Sequence, residues 1–507
     1  MIKPAQGSRL FVTLAVMAAT VIQVLDTTIV NVALPHMAGN LSASLDQISW
    51  VLTSYIVASS ILMPMTGYLT DRLGRRRYLL ISIAGFVVAS ALCGIATSLG
   101  EIVVFRLLQG IFGASLVPLS QAIMVDSYPV HERGKAMAIW GMGVMVAPIL
   151  GPTLGGWLTE TINWRWNFYI NLPVGIASFL LAARHVPDTP VKARGMDWWG
   201  LVFLAMFVGG LQYLLDRGQQ EDWFSSSAIR WSAAILTAGI VCFVAHSILS
   251  KRETLINLHV FADRNFSAAS IVGAAMGLSL FGGLLLQPVL FESVLQYPTF
   301  ETGLAMMPRG FGSLLAMLIV GRVIGKVGAK PLIYFGIFTG IVGAWMMTHV
   351  GFDTTSASLI VPLVLQGVGI GCVFVPLSAV AFATLPKTLT AEAAGAYNLI
   401  RSIGSSIGIS IVSVSMVRGA QASWGALRGY VDPFRPEVQQ YLDPLHLKAQ
   451  GQGLAIIAQQ AAVQAQMLGL LRAFWVIVLS FLVMIPLVML LKPGRPGQGP
   501  PAAAMAE

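Results

Sequence analysis

Fourteen apolar runs follow one another along this chain, at about 11–35, 48–70, 78–98, 102–124, 136–158, 166–184, 198–216, 228–248, 267–291, 303–324, 331–350, 357–382, 394–417 and 468–491. About 20 apolar residues in a helix match the roughly 30 Å hydrocarbon core of a bilayer. In lipid every backbone N–H and C=O must be satisfied within its own segment, so runs of this length predict helices. A β-barrel would instead show ten-residue stretches of weak alternation. Composition agrees: hydrophobic residues make up 56% of the 507 and charged residues 10%, whereas a soluble domain carries about 25% charge. With a mean hydropathy of +0.76, the chain requires lipid as solvent for most of its surface. The expected fold class is therefore an all-α integral membrane protein, and its 51 glycines suit close helix–helix contact.

The basic residues set the orientation. One set of connections holds Lys3, Arg9, Arg72, Arg75, Arg76, Arg77, Arg133, Lys135, Arg184, Lys192, Arg194, Lys251, Arg252, Arg264, Arg322, Lys326, Lys330, Lys387, Lys492 and Arg495, which is 20 of 31. The opposite short loops hold Arg165, Arg217 and Arg230. The positive-inside rule then puts both termini in the cytoplasm, as an even number of spans also requires. The net charge of +9 is spread over these loops rather than gathered in one domain, so no nucleic acid partner is expected. Cys93, Cys242 and Cys372 lie far apart in apolar runs and read as small buried hydrophobes. They have no metal-ligand spacing, and neither a metal nor a cofactor is expected. The first run lacks a cleavage site of the signal-peptide kind and reads as a retained helix.

Asp26 is the acidic residue placed in the interior of an apolar run. A charged carboxylate in hydrocarbon costs about 3 kcal/mol on insertion scales. Its default reading is a proton or cation site facing a protein-lined cavity; the bland alternative is a structural helix-to-helix hydrogen bond. Burial favours its neutral form and a nearby cation favours the carboxylate. Arg106, about one turn inside the fourth run, lies at a comparable depth and is the candidate partner. The pair Asp26 and Arg106 is thus the candidate proton-coupling site, with the carboxylate binding either a proton or the substrate. Gln23, Asn31, Gln109, Gln121, Gln287 and Gln366 are polar groups that should face inward, and with Arg401 they are candidates for a substrate cavity. Arg309 and Arg401 either snorkel to an interface or line that cavity. His246 reads as a lone polar side chain.

Several motifs narrow the reading. Between the second and third runs stands Gly67-Tyr-Leu-Thr-Asp71-Arg72-Leu-Gly74-Arg75-Arg76-Arg77. Gly74 permits a tight reversal, and the arginines can bind a carboxylate nearby, Asp126 being the plausible partner. This loop resembles the cytoplasmic signature of the major facilitator superfamily. A degenerate echo, Gly321-Arg322-Val-Ile-Gly325-Lys326-Val-Gly328, lacks the aspartate and supports an internal duplication. The fifth run carries Gly143, Pro148, Gly151, Pro152, Gly155 and Gly156, where prolines kink the helix and glycines let a neighbour approach. It resembles the antiporter motif of drug exporters in that superfamily. Leu25-Asp26-Thr-Thr-Ile-Val-Asn31-Val-Ala-Leu-Pro35, Arg106-Leu-Leu-Gln109-Gly110 and Trp164-Arg-Trp166-Asn167-Phe-Tyr-Ile-Asn171-Leu-Pro173 extend the resemblance to the fourteen-helix EmrB/QacA family of drug:proton antiporters, most strongly its EmrB type.

That resemblance implies two pseudo-symmetric six-helix bundles, 1–184 and 267–491, separated by two inserted helices in 185–266. An outer-side segment at 418–467 and a disordered cytoplasmic tail at 492–507 complete the expected organisation. The first part of 418–467 reads as irregular, and the part from about Lys448 as a helix running into the last span. The resemblance further implies efflux of small hydrophobic substrates in exchange for protons across a bacterial inner membrane, with a periplasmic membrane-fusion adaptor and an outer-membrane channel as partners. Segment 418–467 is either an adaptor contact or a passive cap. A nutrient–proton symporter on the same fold is disfavoured by the proline–glycine motif and the inserted helices. A lipid-modifying enzyme would need catalytic clusters such as H-E-x-x-H, and an ATP-driven pump a G-x-x-x-x-G-K-[ST] loop; the sequence has neither, so no enzymatic activity is expected. A channel would not need a titratable core acid.

Overall fold

The computed structural model describes residues 6–129, 132–191, 195–250, 254–256, 258–386, 389–443 and 451–492. Among the described residues, fourteen helices are long and apolar enough to cross a membrane. They are α1 (Arg9–Asn40), α2 (Trp50–Leu73), α3 (Arg75–Ile95), α4 (Leu99–Ser127), α5 (Arg133–Thr161), α6 (Trp166–His185) and α7 (Trp198–Arg217). They continue as α8 (Ser227–Leu249), α9 (Arg264–Val294), α10 (Phe300–Val327), α11 (Ala329–Met347), α12 (Ser356–Ala381), α13 (Thr390–Tyr430) and α14 (Gln452–Met489). Each apolar run of the sequence falls in one helix. The breaks obey local chemistry. Pro64 opens a 3-10 turn, Met63–Met65, inside α2, because a proline removes one backbone donor and crowds the preceding turn. Asp197 and Asp263 cap α7 and α9 by accepting from Gly200 N at 2.8 Å and Phe266 N at 2.8 Å, and Ser98 caps α4 through Glu101 N.

The packing repeats itself eight helices on. In the first half α1 packs on α5 and α6, α2 on α4, and α3 on α4 and α6. In the second half α9 packs on α13 and α14, α10 on α12, and α11 on α12 and α14. The same symmetry governs how the halves meet, α5 on α10 and α2 on α13. The inserted α7 and α8 pack chiefly on each other, with α7 touching α2 and α13 at the seam. The two signature loops share their geometry as well. Gly74 and Gly328 have φ of +83° and +86°, a left-handed backbone that favours glycine at each reversal.

The outer segment differs from the expectation in its first part. α13 does not stop near residue 417 but runs on to Tyr430, and Pro436–Leu442 forms a further short helix with proline at its first turn, where a missing N–H does no harm. Stretches free of proline, 418–430 and 452–467, carry both long helices past the lipid: the 38 residues of α14 span about 57 Å, nearly twice a bilayer core. The two extensions pack through small residues; a Cβ at Gly419 would meet Gly469 Cα at 3.0 Å, and Arg472 Nη1 donates to Gly419 O. The expected disordered tail beyond Lys492, and residues 444–450 of the outer segment, lie outside the described residues.

Candidate functional site

α1, α4 and α6 bring one polar cluster together inside the first half. Asp26 and Arg106 are both fully buried, and Arg106 Nη1 donates to Asp26 Oδ2 at 2.5 Å. Asp26 Oδ1 accepts two further bonds, from Gln109 Nε2 and Asn171 Nδ2, each at 3.0 Å. Arg106 and Gln109 lie three residues apart, hence on one face of α4, and Arg106 Nη1 also donates to Gln109 Oε1 at 2.6 Å. The guanidinium is held in place on its other sides: Nε donates to Val51 O at 3.0 Å, and its Cζ lies 4.3 Å from the Tyr55 ring centroid. A buried pair is tolerated only when its remaining donors and acceptors find partners, and this one does so almost completely. Only Nη2 lacks a partner.

Sequence reasoning named Asp26, Arg106 and Gln109 but missed Asn171 and Tyr55. Asn171 stands in the Trp164–Pro173 stretch and, being an amide within an apolar run, carried the same signal as Gln109. Tyr55 carried none, because a tyrosine in an apolar run looks like core. The enclosure is complete, with zero exposure for Asp26, so direct contact between Asp26 and a substrate has no route in this conformation.

The motif helix α5 runs against α1 beside this cluster. Gly143, Gly151 and Gly155 face α1: a Cβ at Gly143 would meet Met17 Cε at 2.9 Å, one at Gly151 would overlap Thr28 Oγ1, and one at Gly155 would stand 2.8 Å from Ile29 O. Thr28 Oγ1 reaches Ala147 O at 3.5 Å. Pro148 and Pro152 lie inside the same helix, and Gly156 is buried in it. The opposite face of α5 meets the second half, with Gly141 against Phe374.

At the end bearing the Gly67–Arg77 loop the two halves are closed on each other. Gly67 lies so near α13 that a Cβ there would stand 2.7 Å from Glu392 Cα. Arg133 Nη1 donates to Phe382 O at 3.1 Å. Arg75 Nη2 donates to Asp126 Oδ2 at 2.7 Å, an ion pair with side chains 14% and 15% exposed. Arg72 instead donates to the Tyr68 hydroxyl at 2.6 Å, and Asp71 lies on the same turn of α2. Thr189, in the connection after α6, reaches this loop, where Arg75 N donates to Thr189 Oγ1 at 3.0 Å.

The other polar candidates sort into pairs rather than lining one chamber. Gln287 and Gln366 bond each other at 3.2 Å, and Gln287 Oε1 accepts from Arg309 Nη1 at 3.0 Å. Gln121 Oε1 accepts from Asn398 Nδ2 across the halves at 2.6 Å, and Asn398 Oδ1 accepts from Arg401 at 2.9 Å. Gln23 Nε2 reaches the Tyr55 hydroxyl at 3.2 Å. Asn31 is exposed and donates to its own helix at Thr27 O. In a low-dielectric interior an unpaired amide is costly, which is why each of the buried glutamines bonds a polar neighbour. His246 is not alone: its Nε2 lies 2.8 Å from Asp197 Oδ1. Among the described residues, no group of three or more His, Cys, Asp or Glu gathers in a way that could hold a metal ion.

Among the described residues, twelve membrane-length helices in two halves that repeat at an eight-helix offset, two more inserted between them, an arginine-rich loop at the closed end and a buried acid–base pair define a secondary transporter. The sequence profile described as Major Facilitator Superfamily matches residues 16–409, and the chain belongs to that superfamily, in its EmrB/QacA group. It is 34% identical over 498 residues to the Multidrug export protein EmrB of Haemophilus influenzae, with 97% of each chain covered. It is 35% identical over 499 residues to the protein of the same name in Escherichia coli, again with 97% of each covered. Among solved structures, the proton:xylose symporter XylE shares the fold with a TM-score of 0.59 at 15% identity, covering 95% of this chain and 96% of that one.

Proposed function

We propose that this chain is a proton-driven exporter of small hydrophobic toxic compounds in a bacterial inner membrane, with both termini cytoplasmic. The observation that carries the reading is near-full-length similarity to proteins named multidrug export proteins. The buried Asp26–Arg106 pair supports the proton part. Protonation of Asp26 removes the charge that Arg106 neutralises, so it changes what α1 and α4 gain by staying together. The glycines of α5 facing Met17, Thr28 and Ile29 give α1 a smooth track, so a change at Asp26 can become a shift of one helix along another. Residues 1–184 and 267–491 then act as the two rocking halves. The Gly67, Asp71, Arg72, Gly74, Arg75 and Asp126 group acts as the latch holding their cytoplasmic ends together. The latch is closed here, and Asp26 is sealed with it, so proton exchange belongs to the states in which α1 has moved.

The test is efflux from proteoliposomes under an imposed pH gradient. Asp26→Asn should insert and fold yet lose gradient-driven transport; undiminished efflux from that variant would overturn the coupling assignment.

The tripartite part of the proposal rests on the α13–α14 extension. Its outer end carries a groove of about 310 Å³ lined by Leu427, Tyr430, Val438, Tyr441 and Ile457, with Phe434 87% exposed nearby. We take it as the contact for a periplasmic membrane-fusion adaptor that leads on to an outer-membrane channel. Replacing 428–451 by a short linker should abolish adaptor capture, and retained capture would leave the extension as a cap.

A further inference from the structure

The two halves differ in how they balance buried charge. Arg106 in the first half faces Asp26. Arg309, in α10 of the second half, is also buried, at 6% exposure, yet among the described residues it has no ion pair. Its bonds go only to neutral acceptors, Gln287 Oε1 at 3.0 Å from Nη1 and Leu280 O at 3.1 Å from Nη2. Gln287 is fixed in turn by Gln366, whose Nε2 donates to Gly343 O at 3.3 Å. Gly283 completes the seat: a Cβ there would stand 3.0 Å from both terminal nitrogens. An arginine does not shed its proton in a protein, and a buried cation without a counter-ion is expensive. The side chain is nonetheless held rigidly and borders a narrow cleft of about 30 Å³ between the halves. Met145 and Pro148 of the motif helix form one wall, with Leu284, Met306 and Ile370 on the other. One fixed positive charge in a crevice that is apolar but for Ser313, at the contact between the moving halves, is the chemistry of a site for a lipophilic anion.

We propose that Arg309 recognises the anionic head of such a compound, a carboxylate or sulfonate, and that the cleft receives its apolar body as the halves part. Gln287 and Gln366 position the guanidinium and do not themselves select charge. This assignment rests on the reading of the chain as an exporter of hydrophobic compounds and names the class of substrate that this second-half site would take. A membrane phospholipid also presents an anionic head on an apolar body, so the test must separate the two sources.

The experiment is fluorescence titration of the purified protein in phosphatidylcholine nanodiscs at neutral pH, without a proton gradient, using 9-anthroate and its uncharged methyl ester. The wild-type chain should bind the carboxylate about tenfold more tightly than the ester, the gain expected of a charge-assisted bond. Arg309→Gln should bring the two affinities within about twofold, and Arg309→Lys should keep part of the preference. Size-exclusion profiles matching wild type establish that each variant is folded. Equal binding of the two probes by wild type, no binding of 9-anthroate, or an undiminished preference in Arg309→Gln overturns the proposal. Replacing part of the lipid by phosphatidylglycerol gives the second arm: an unchanged affinity for 9-anthroate supports a substrate site, and strong competition would assign the cleft to a lipid headgroup instead. Because no gradient is used, a failure of proton coupling at Asp26 would leave these results intact.

Discussion

Gly151 of α5 lies over Thr28 of α1 with no space for a side chain, its absent Cβ falling on Thr28 Oγ1. Two residues after Asp26, this contact ties the motif helix to the helix that carries the acid. Packing of this kind is unforgiving, because overfilling a tight contact typically destabilises by about 1–3 kcal/mol. Gly151→Ala should lower the thermal midpoint of the detergent-solubilised protein and slow efflux. The added Thr28→Ala substitution removes the clashing hydroxyl but leaves Thr28 Cβ 2.8 Å from the new methyl, so it should restore both in part. A double variant no better than the single one would show that the contact is not the cause.

Gly155→Ala should not be rescued in the same way. Its Cβ meets the backbone oxygen of Ile29 at 2.8 Å, and a carbonyl cannot be trimmed by mutation. The expected outcome is a lower thermal midpoint that persists when Ile29 is shortened to valine or alanine.

Removing one member of the buried pair should be worse than neutralising both. Arg106→Ala leaves Asp26 enclosed without a counter-charge, a loss of about 3–5 kcal/mol for buried pairs of this kind. Asp26→Asn with Arg106→Gln keeps hydrogen-bonding groups of similar size without either charge. Yield of monodisperse protein and thermal midpoint should rank the double variant above Arg106→Ala, while gradient-driven efflux should be absent from both.

The Arg75–Asp126 pair is partly open to solvent, so Asp126→Asn should be tolerated by the fold. Its effect should appear in the conformational balance. Spin labels on the loop-bearing ends of α5 and α10, near Gly134 and Ile324, which touch when the halves are closed, should report a longer mean distance in Asp126→Asn than in wild type. An identical distance distribution would remove Arg75–Asp126 from the latch.

Asp197 does three things at once: it caps α7 through Gly200 N, accepts from Leu255 N at 2.9 Å and pairs with His246. Loss of a helix cap costs about 1 kcal/mol, and here two further bonds go with it. Asp197→Ala should lower the thermal midpoint more than His246→Ala does, since the latter keeps the cap.

How far the sequence reached can be judged residue by residue. Hydrocarbon length and obligatory backbone bonding make the number of spans readable, because each helix is dictated by its own twenty or so side chains. Asp26 and Arg106 were legible for the same reason: a charge in an apolar run is conspicuous wherever the chain later goes. Gly74 was legible as a reversal, and its positive φ is a local property. Asn171 and Tyr55 were hidden, since each acquires its role from helices far away in the chain. The first stretch of the outer segment was misread because its prolines look like breakers, whereas Pro436 begins a helix.

The amino-acid sequence by itself determined that fourteen helices among the described residues are long and apolar enough to cross a membrane and which side chains would have to be sheltered there, because transfer to lipid is decided one segment at a time. Only the tertiary structure decided who shelters whom. Asp26 found Arg106, Gln109 and Asn171, while Arg309 found only amide and carbonyl oxygens. Pairing depends on distances between helices that no single segment encodes, and it fixes where buried charge is balanced and where it is left to be met from outside.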